Sequence, residues 1–193
     1  ASAYAIEGIK VEKERLLNLS LAYESHPDNI TPAVMGGFNV ASVHENEVKF
    51  ITKSIPRTLR AVVVVPNRPI STTLSRKTLP YKYSKEDTIF NISHSSLLTA
   101  AFISENWEML KYASADMVHQ QFRMRHMPEL FEVQKTALKN GALMSTLSGS
   151  GSTFFSVAYS EDSQKLELAL KEKFPHFRVM SVDFDNNGVK IEI

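Results

Sequence analysis

Residues 24 to 29 read Glu-Ser-His-Pro-Asp-Asn, so a carboxylate, an imidazole, a second carboxylate and an amide fall in one short stretch ahead of Gly36-Gly37. Taken alone, Asp28 or Asn29 would cap a helix through Thr31 to Met35, with Pro32 in its first turn. A cap needs one such side chain, however, and four are present. Exposed backbone amides at a helix start suit an anion. Glu24 could hold a hard cation such as Mg²⁺ together with phosphate oxygens. That combination describes a phosphoryl-transfer site.

Three further stretches carry polar chemistry. Pro66 to Pro80 follows a β-branched run and contains Arg76, whose planar fork could grip a carboxylate through two parallel hydrogen bonds, although lysine and arginine after a strand are more often surface residues. His119 to Pro128 gathers arginines and histidines, Arg123 among them, before a proline-started helix; a solvated helix end is the ordinary explanation and a second carboxylate clamp the sharper one. Ser148-Gly149-Ser150-Gly151 is a glycine loop between strands, either a tight turn or a backbone that a ligand can approach closely. The six histidines show no helical ligand spacing, which argues against a histidine metal site.

The elements that must position these residues are set by hydrophobic pattern. Val11 to Tyr23 is amphipathic and predicts a helix. Phe38 to Val43 and Val48 to Thr52 predict a hairpin, and Leu59 to Val65 a strand buried on both faces. Helices are expected over Glu86 to Ser104, Trp107 to Gln121, Pro128 to Asn140 and Glu161 to Phe174. Strands are expected over Ala142 to Leu147, Thr153 to Tyr159, Arg178 to Asp183 and Val189 to Ile193, the last two joined in a hairpin by Asn186-Asn187-Gly188. Strands alternating with helices and closing antiparallel predict an α+β fold with helices on one face of the sheet. A soft domain boundary falls around Ile55 to Thr58.

Bulk properties set the outer limits. At 193 residues and 43% hydrophobic content the chain can bury a sizeable core. Twenty-two basic residues against 21 acidic ones leave a net charge of +1, far from the basic excess of a nucleic-acid binder. The absence of cysteine removes disulfides, thiolate zinc sites and cysteine nucleophiles, and fits a reducing cytoplasm. No apolar run reaches the length of a membrane span, so no membrane partner is expected.

In this order the stretches resemble one family. Glu24 to Gly37, Glu-x-His-Pro-Asp-Asn-x-x-Pro-Ala-x-x-Gly-Gly, resembles the signature of homoserine kinases within the GHMP family of small-molecule kinases. Ser71 to Pro80 is similar to that family's strand-end loop with its substrate arginine. Asp116 to Arg123 is similar to its Asp-Arg-x-His-Glu-Pro-Tyr-Arg stretch, and Leu147 to Phe155 to its third motif, Leu-Ser-Gly-Ser-Gly-Pro-Thr-x-Phe. Gly36, Gly37, Gly141, Gly149 and Gly151 fall at family glycine positions. Gln120 and Gln121 stand where Glu-Pro is usual, and Ser152 replaces the proline of the third motif. The glycine-rich loop that cradles the ATP phosphates has no counterpart in these residues, and the resemblance places it upstream of Ala1.

The resemblance implies a two-domain GHMP kinase architecture. Residues 1–56 would be the remaining part of the N-terminal domain, and residues 57–193 the C-terminal domain with a ferredoxin-like antiparallel sheet. It implies transfer of the γ-phosphoryl group of ATP to the hydroxyl of L-homoserine in the cytoplasm, with Mg²⁺ as cofactor, and a homodimer is compatible with it. Glu24 would ligate the metal, and Asn29 would hold the acceptor hydroxyl or stabilise charge near it, with Asp28 orienting neighbours or assisting proton removal. His26, Asn29, Arg76, Arg123 and Gly149 would contact the substrate. Two alternatives stand beside this: a GHMP kinase of another small alcohol, and a non-catalytic substrate-binding or dimerisation module. The isolated chain, without the ATP loop, is expected to show little turnover.

Overall fold

The computed structural model describes residues 2–9, 11–68, 75 and 77–190. Two short helices, α1 (Ser2–Ile6) and α2 (Lys13–Ser20), precede the polar loop at Glu24. The next helix, α3 (Pro27–Met35), starts four residues earlier than the expected Thr31. Proline suits a first helical position, because the amide it lacks would have no partner there. Asp28 and Asn29 therefore lie inside the first turn rather than capping it, and His26 occupies the cap position without a side-chain cap bond. Strands β1 (Phe38–His44) and β2 (Glu47–Lys53) pair antiparallel as expected, with Ala41 opposite Phe50 and Val43 opposite Val48. Alternation sends Ala41, Val48 and Phe50 to one face, where they pack with Leu17 of α2 and Val34 of α3.

The double glycine has a direct physical cause. Gly36 ends α3 at φ +78°, and a Cβ built on it would stand 2.5 Å from the Gly188 nitrogen. The reciprocal Cβ on Gly188, itself at φ +62°, would stand 2.4 Å from the Val34 carbonyl oxygen. Two backbones touch here, and only glycine allows it. The contact is sewn by Gly37 N donating to Asp185 O (2.8 Å), Val189 N donating to Val34 O (3.1 Å) and Ile55 N donating to Asn186 Oδ1 (2.8 Å). This corrects the expected terminal hairpin at Asn186-Asn187-Gly188. Residues 186–190 form no strand, and residues 191–193 of the expected last strand lie outside the described residues; residues 186–189 serve a tertiary crossing instead of a turn.

The chain divides into two units, Ala1–Pro56 with Phe184–Ile193, and Arg57–Asp183. The second unit is built on strand β3 (Leu59–Val65). Helix α4 (Lys85–Ser104) begins at Ser84, whose hydroxyl oxygen accepts from Asp87 N at 2.9 Å, and ends in the left-handed Glu105. A single 3₁₀ turn, Trp107–Met109, leads into α5 (Leu110–Ala113), and then come α6 (Gln120–Met124) and α7 (Glu129–Lys139). The expected single helix from Trp107 to Gln121 is thus broken at residues 114–119. Asp116 takes the amides of His119 and Gln120, which a continuous helix would have given to main-chain carbonyls.

Strands β4 (Met144–Leu147) and β5 (Phe154–Tyr159), helix α8 (Ser160–Lys173) and strand β6 (Arg178–Val182) complete the unit. The strands lie in the order β4-β5-β3-β6, all pairs antiparallel, which is the expected ferredoxin-like sheet. Val64 faces Phe154 on one neighbour and Val179 on the other. These residues form the main core with Val62, with Leu130, Val133 and Ala137 at helical spacing on α7, and with Leu166 and Leu170 on α8.

Gly188→Ala is expected to cost about 3 kcal/mol, because strain at positive φ adds to a backbone clash that no flexible side chain can relieve. Urea unfolding of the variant measures this. An unchanged midpoint would mean that the two backbones do not touch.

Candidate active site

In the first unit, the loop before α3 gathers four of the expected residues. Glu24 is half-buried, and its Oε1 accepts from the His26 amide at 3.2 Å. This bond turns the carboxylate toward the start of the helix. His26, Asp28 and Asn29 are exposed there, with Asp28 and Asn29 in the first helical turn. The first-turn amides of a helix have no main-chain partner, so they and the helix dipole favour a negative ligand.

Among the described residues no group of three His, Asp or Glu side chains could hold a metal ion. Glu24 therefore fits Mg²⁺ only as a single carboxylate donor. That is how Mg²⁺ is usually bound by kinases, through one or two carboxylates with phosphate oxygens and water completing its shell.

In the second unit, Arg123 and Gly149 are in direct contact: Arg123 Nη1 donates to the Gly149 carbonyl at 2.8 Å. Gly149 is exposed, with open space where a Cβ would stand, so the loop backbone is accessible as expected. Arg76 lies outside the described residues, as do residues 69–74.

Several residues that hold this second group were not expected from the sequence. Gln120, 7% exposed, accepts the Leu147 amide on Oε1 at 2.9 Å, tying α6 to the last residue of β4 just before the glycine loop. Ser75, fully buried, donates to the Ser150 carbonyl at 2.8 Å, and Ser152 donates to the Arg68 carbonyl at 2.9 Å. Both Gln120 and Ser152, where the sequence departs from the family pattern, thus make specific bonds. Asp116 enters the sequence pattern only as the first residue of a motif, yet its Oδ2 accepts from the His119 amide at 2.9 Å and the Gln120 amide at 2.6 Å. An aspartate three and four residues ahead of those amides is a recognisable local cap, and that spacing was the available signal.

Burial governs the electrostatics here. Burial alone would raise the Asp116 carboxyl, but hydrogen bonds from Asn91 and from the Gln120 and His119 amides outweigh it and hold the group below its ordinary value. His119 is held below the ordinary imidazole value by burial, with Asp116 pulling the other way and Arg123 adding to the depression.

Comparison with known proteins bears on the family and the fold. The family described as GHMP kinases C terminal matches residues 98–176. A protein of Aliarcobacter butzleri named homoserine kinase is 80% identical over 193 residues, covering all of this chain and 66% of its own length. One of the same name from Nitratiruptor is 59% identical over 192 residues, again covering 66% of its length. The chain thus spans about two thirds of the length of the curated relatives it matches. Among solved structures, a homoserine kinase from Cytophaga hutchinsonii is alike with a TM-score of 0.88 at 23% identity, over 96% of this chain and 62% of that one. The mevalonate kinase of L. major, in complex with R-mevalonate, is alike with a TM-score of 0.63 at 19% identity, over 91% of this chain and 60% of that one. These two likenesses show the fold alone. With the relatives matching over the whole chain and its C-terminal family description inside it, the chain belongs to the GHMP kinase family.

Proposed function

We propose that the chain is part of a homoserine kinase, a cytoplasmic enzyme of threonine biosynthesis that transfers the γ-phosphoryl group of ATP to the side-chain hydroxyl of L-homoserine. The observation that carries this reading is the 80% identity over the whole chain to a protein named homoserine kinase. The loop for the ATP phosphates would lie in the part of the relatives' length that the chain does not span.

Phosphoryl transfer leaves little covalent work to the protein, so the residues act by position and charge. The homoserine hydroxyl oxygen bonds to the γ-phosphorus while the bond from that phosphorus to the bridging oxygen breaks, giving O-phosphohomoserine and ADP. Asn29 would donate a hydrogen bond that holds the acceptor oxygen in line, and His26 would contact the amino acid. Asp28, exposed in the first turn of α3, would orient these groups or take the hydroxyl proton. Arg76 and Arg123 would bind the substrate carboxylate, with the Gly149 backbone closing against it. Mg²⁺, held in part by Glu24, would neutralise phosphate charge when bound.

A panel of small alcohols with ATP, followed by ADP release from the full-length protein, tests the reading. Homoserine is expected to give the highest kcat/KM; a clear preference for another alcohol would replace it. In the same assay Glu24→Gln should raise the Mg²⁺ concentration for half-maximal rate about tenfold or more, because even groups that only orient metal ligands cost this much. An unchanged Mg²⁺ titration would remove Glu24 from the metal site.

A further inference from the structure

The proposed reaction uses Arg123 and Gly149 but gives no task to the acid seven residues before the arginine. The Asp116 side chain is only 7% exposed. A buried carboxylate is costly unless donors surround it, and here they do. Oδ2 accepts from the amides of His119 and Gln120, and Oδ1 accepts from Asn91 Nδ2 at 3.0 Å. Asn91, on α4, turns its own oxygen to the Met117 amide at 2.7 Å. The acid and its amide partner together fix the chain from residue 116 to residue 120.

Directly after this segment comes α6, five residues long and far too short to hold itself by its own hydrogen bonds. Its place is set by Asp116 at its start, by Met124 in the core, and by the Gln120 bond to Leu147. Arg123 rides on the same helix and grips the Gly149 carbonyl. Moving the start of α6 would therefore move the guanidinium and the glycine loop together.

We propose that Asp116 is a positioning residue for substrate binding: a buried carboxylate that sets the start of α6 and, through it, the Arg123 guanidinium and the loop at Gly149. An ionised acid suits this task better than a neutral cap, since charge-assisted bonds to two consecutive amides are shorter and stiffer. The inference rests on the homoserine kinase reading for its substrate, though its structural part does not.

Steady-state kinetics of full-length Asp116→Ala test it. The homoserine KM should rise about tenfold while kcat and the ATP KM change less than about twofold, as small displacements of a binding group produce. Asp116→Asn, which keeps the shape but loses the charge that the amides hold, should raise the homoserine KM about fivefold in the same pattern, and it keeps the test open if the alanine variant folds poorly. In an Arg123→Ala background, Asp116→Asn should add less than about twofold, because both act through one guanidinium. An unchanged homoserine KM, a parallel rise in the ATP KM, or multiplying effects in the double variant would overturn the proposal. Hydrogen exchange separates this from the functional reading. Whatever the substrate, the Leu147 amide should exchange about tenfold faster in Asp116→Asn if α6 loosens from β4, and unchanged exchange overturns the inference. A wild-type protein inert toward homoserine, with Leu147 exchange accelerated in the variant, would overturn the substrate and leave the positioning role standing.

Discussion

The loop Ser148 to Gly151 has almost no apolar surface with which to hold itself, and two of its four residues are glycine. Its shape depends on side chains from elsewhere that donate to its carbonyls: Arg123 to Gly149 and Ser75 to Ser150. Ser152, just after the loop, donates in turn to the Arg68 carbonyl. Each such bond adds only about 1 kcal/mol to stability, and more where a guanidinium donates. Their larger effect is on direction, because they choose one conformation for a backbone that glycine would leave with many. The arginine is oriented by the same contact, so the loop and the charge beside it are fixed together.

The sheet supplies the rigidity behind this arrangement. The loop leaves β4 at Leu147 and re-enters β5 at Phe154, and β4 and β5 are locked by their ladder and by a buried hydroxyl pair, Ser145 with Ser156, at 2.9 Å. Helix α6 joins the frame at both ends, with Met124 in the core and Gln120 on the Leu147 amide. In the first unit a different device serves the same end. The crossing of Gly36 and Gly188 anchors the end of α3, and Pro27 starts the same helix, so its first turn presents Asp28 and Asn29 in fixed register.

Much of this was legible in the residues. The run Leu59 to Val65, the spacing of Leu130, Val133 and Ala137, and the antiparallel closing pattern lead to the sheet and its helices because period and burial are local properties of sequence. The family motifs point to Glu24, Asn29, Arg123 and Gly149, and of these the structure brings Arg123 against Gly149. The failures were tertiary. Asn186-Asn187-Gly188 has turn chemistry, but Gly188 is glycine because Val34 passes 2.4 Å from where its Cβ would be, and no local pattern announces that. The break after α5 was missed because Asp116 competes for amides that helix propensity assigns to the backbone. Gln120, Ser75 and Ser152 went unweighted because their partners are backbone carbonyls and amides tens of residues away, to which side-chain type gives no clue.

We propose that Arg123, held on α6 and against Gly149, binds the carboxylate of the substrate. A crystal structure of the full-length protein with L-homoserine and a non-hydrolysable ATP analogue tests it most directly. The account predicts the homoserine carboxylate within hydrogen-bonding distance of the Arg123 guanidinium, with the Arg123 to Gly149 contact retained. Homoserine bound with its carboxylate on other groups, and Arg123 untouched, would contradict it.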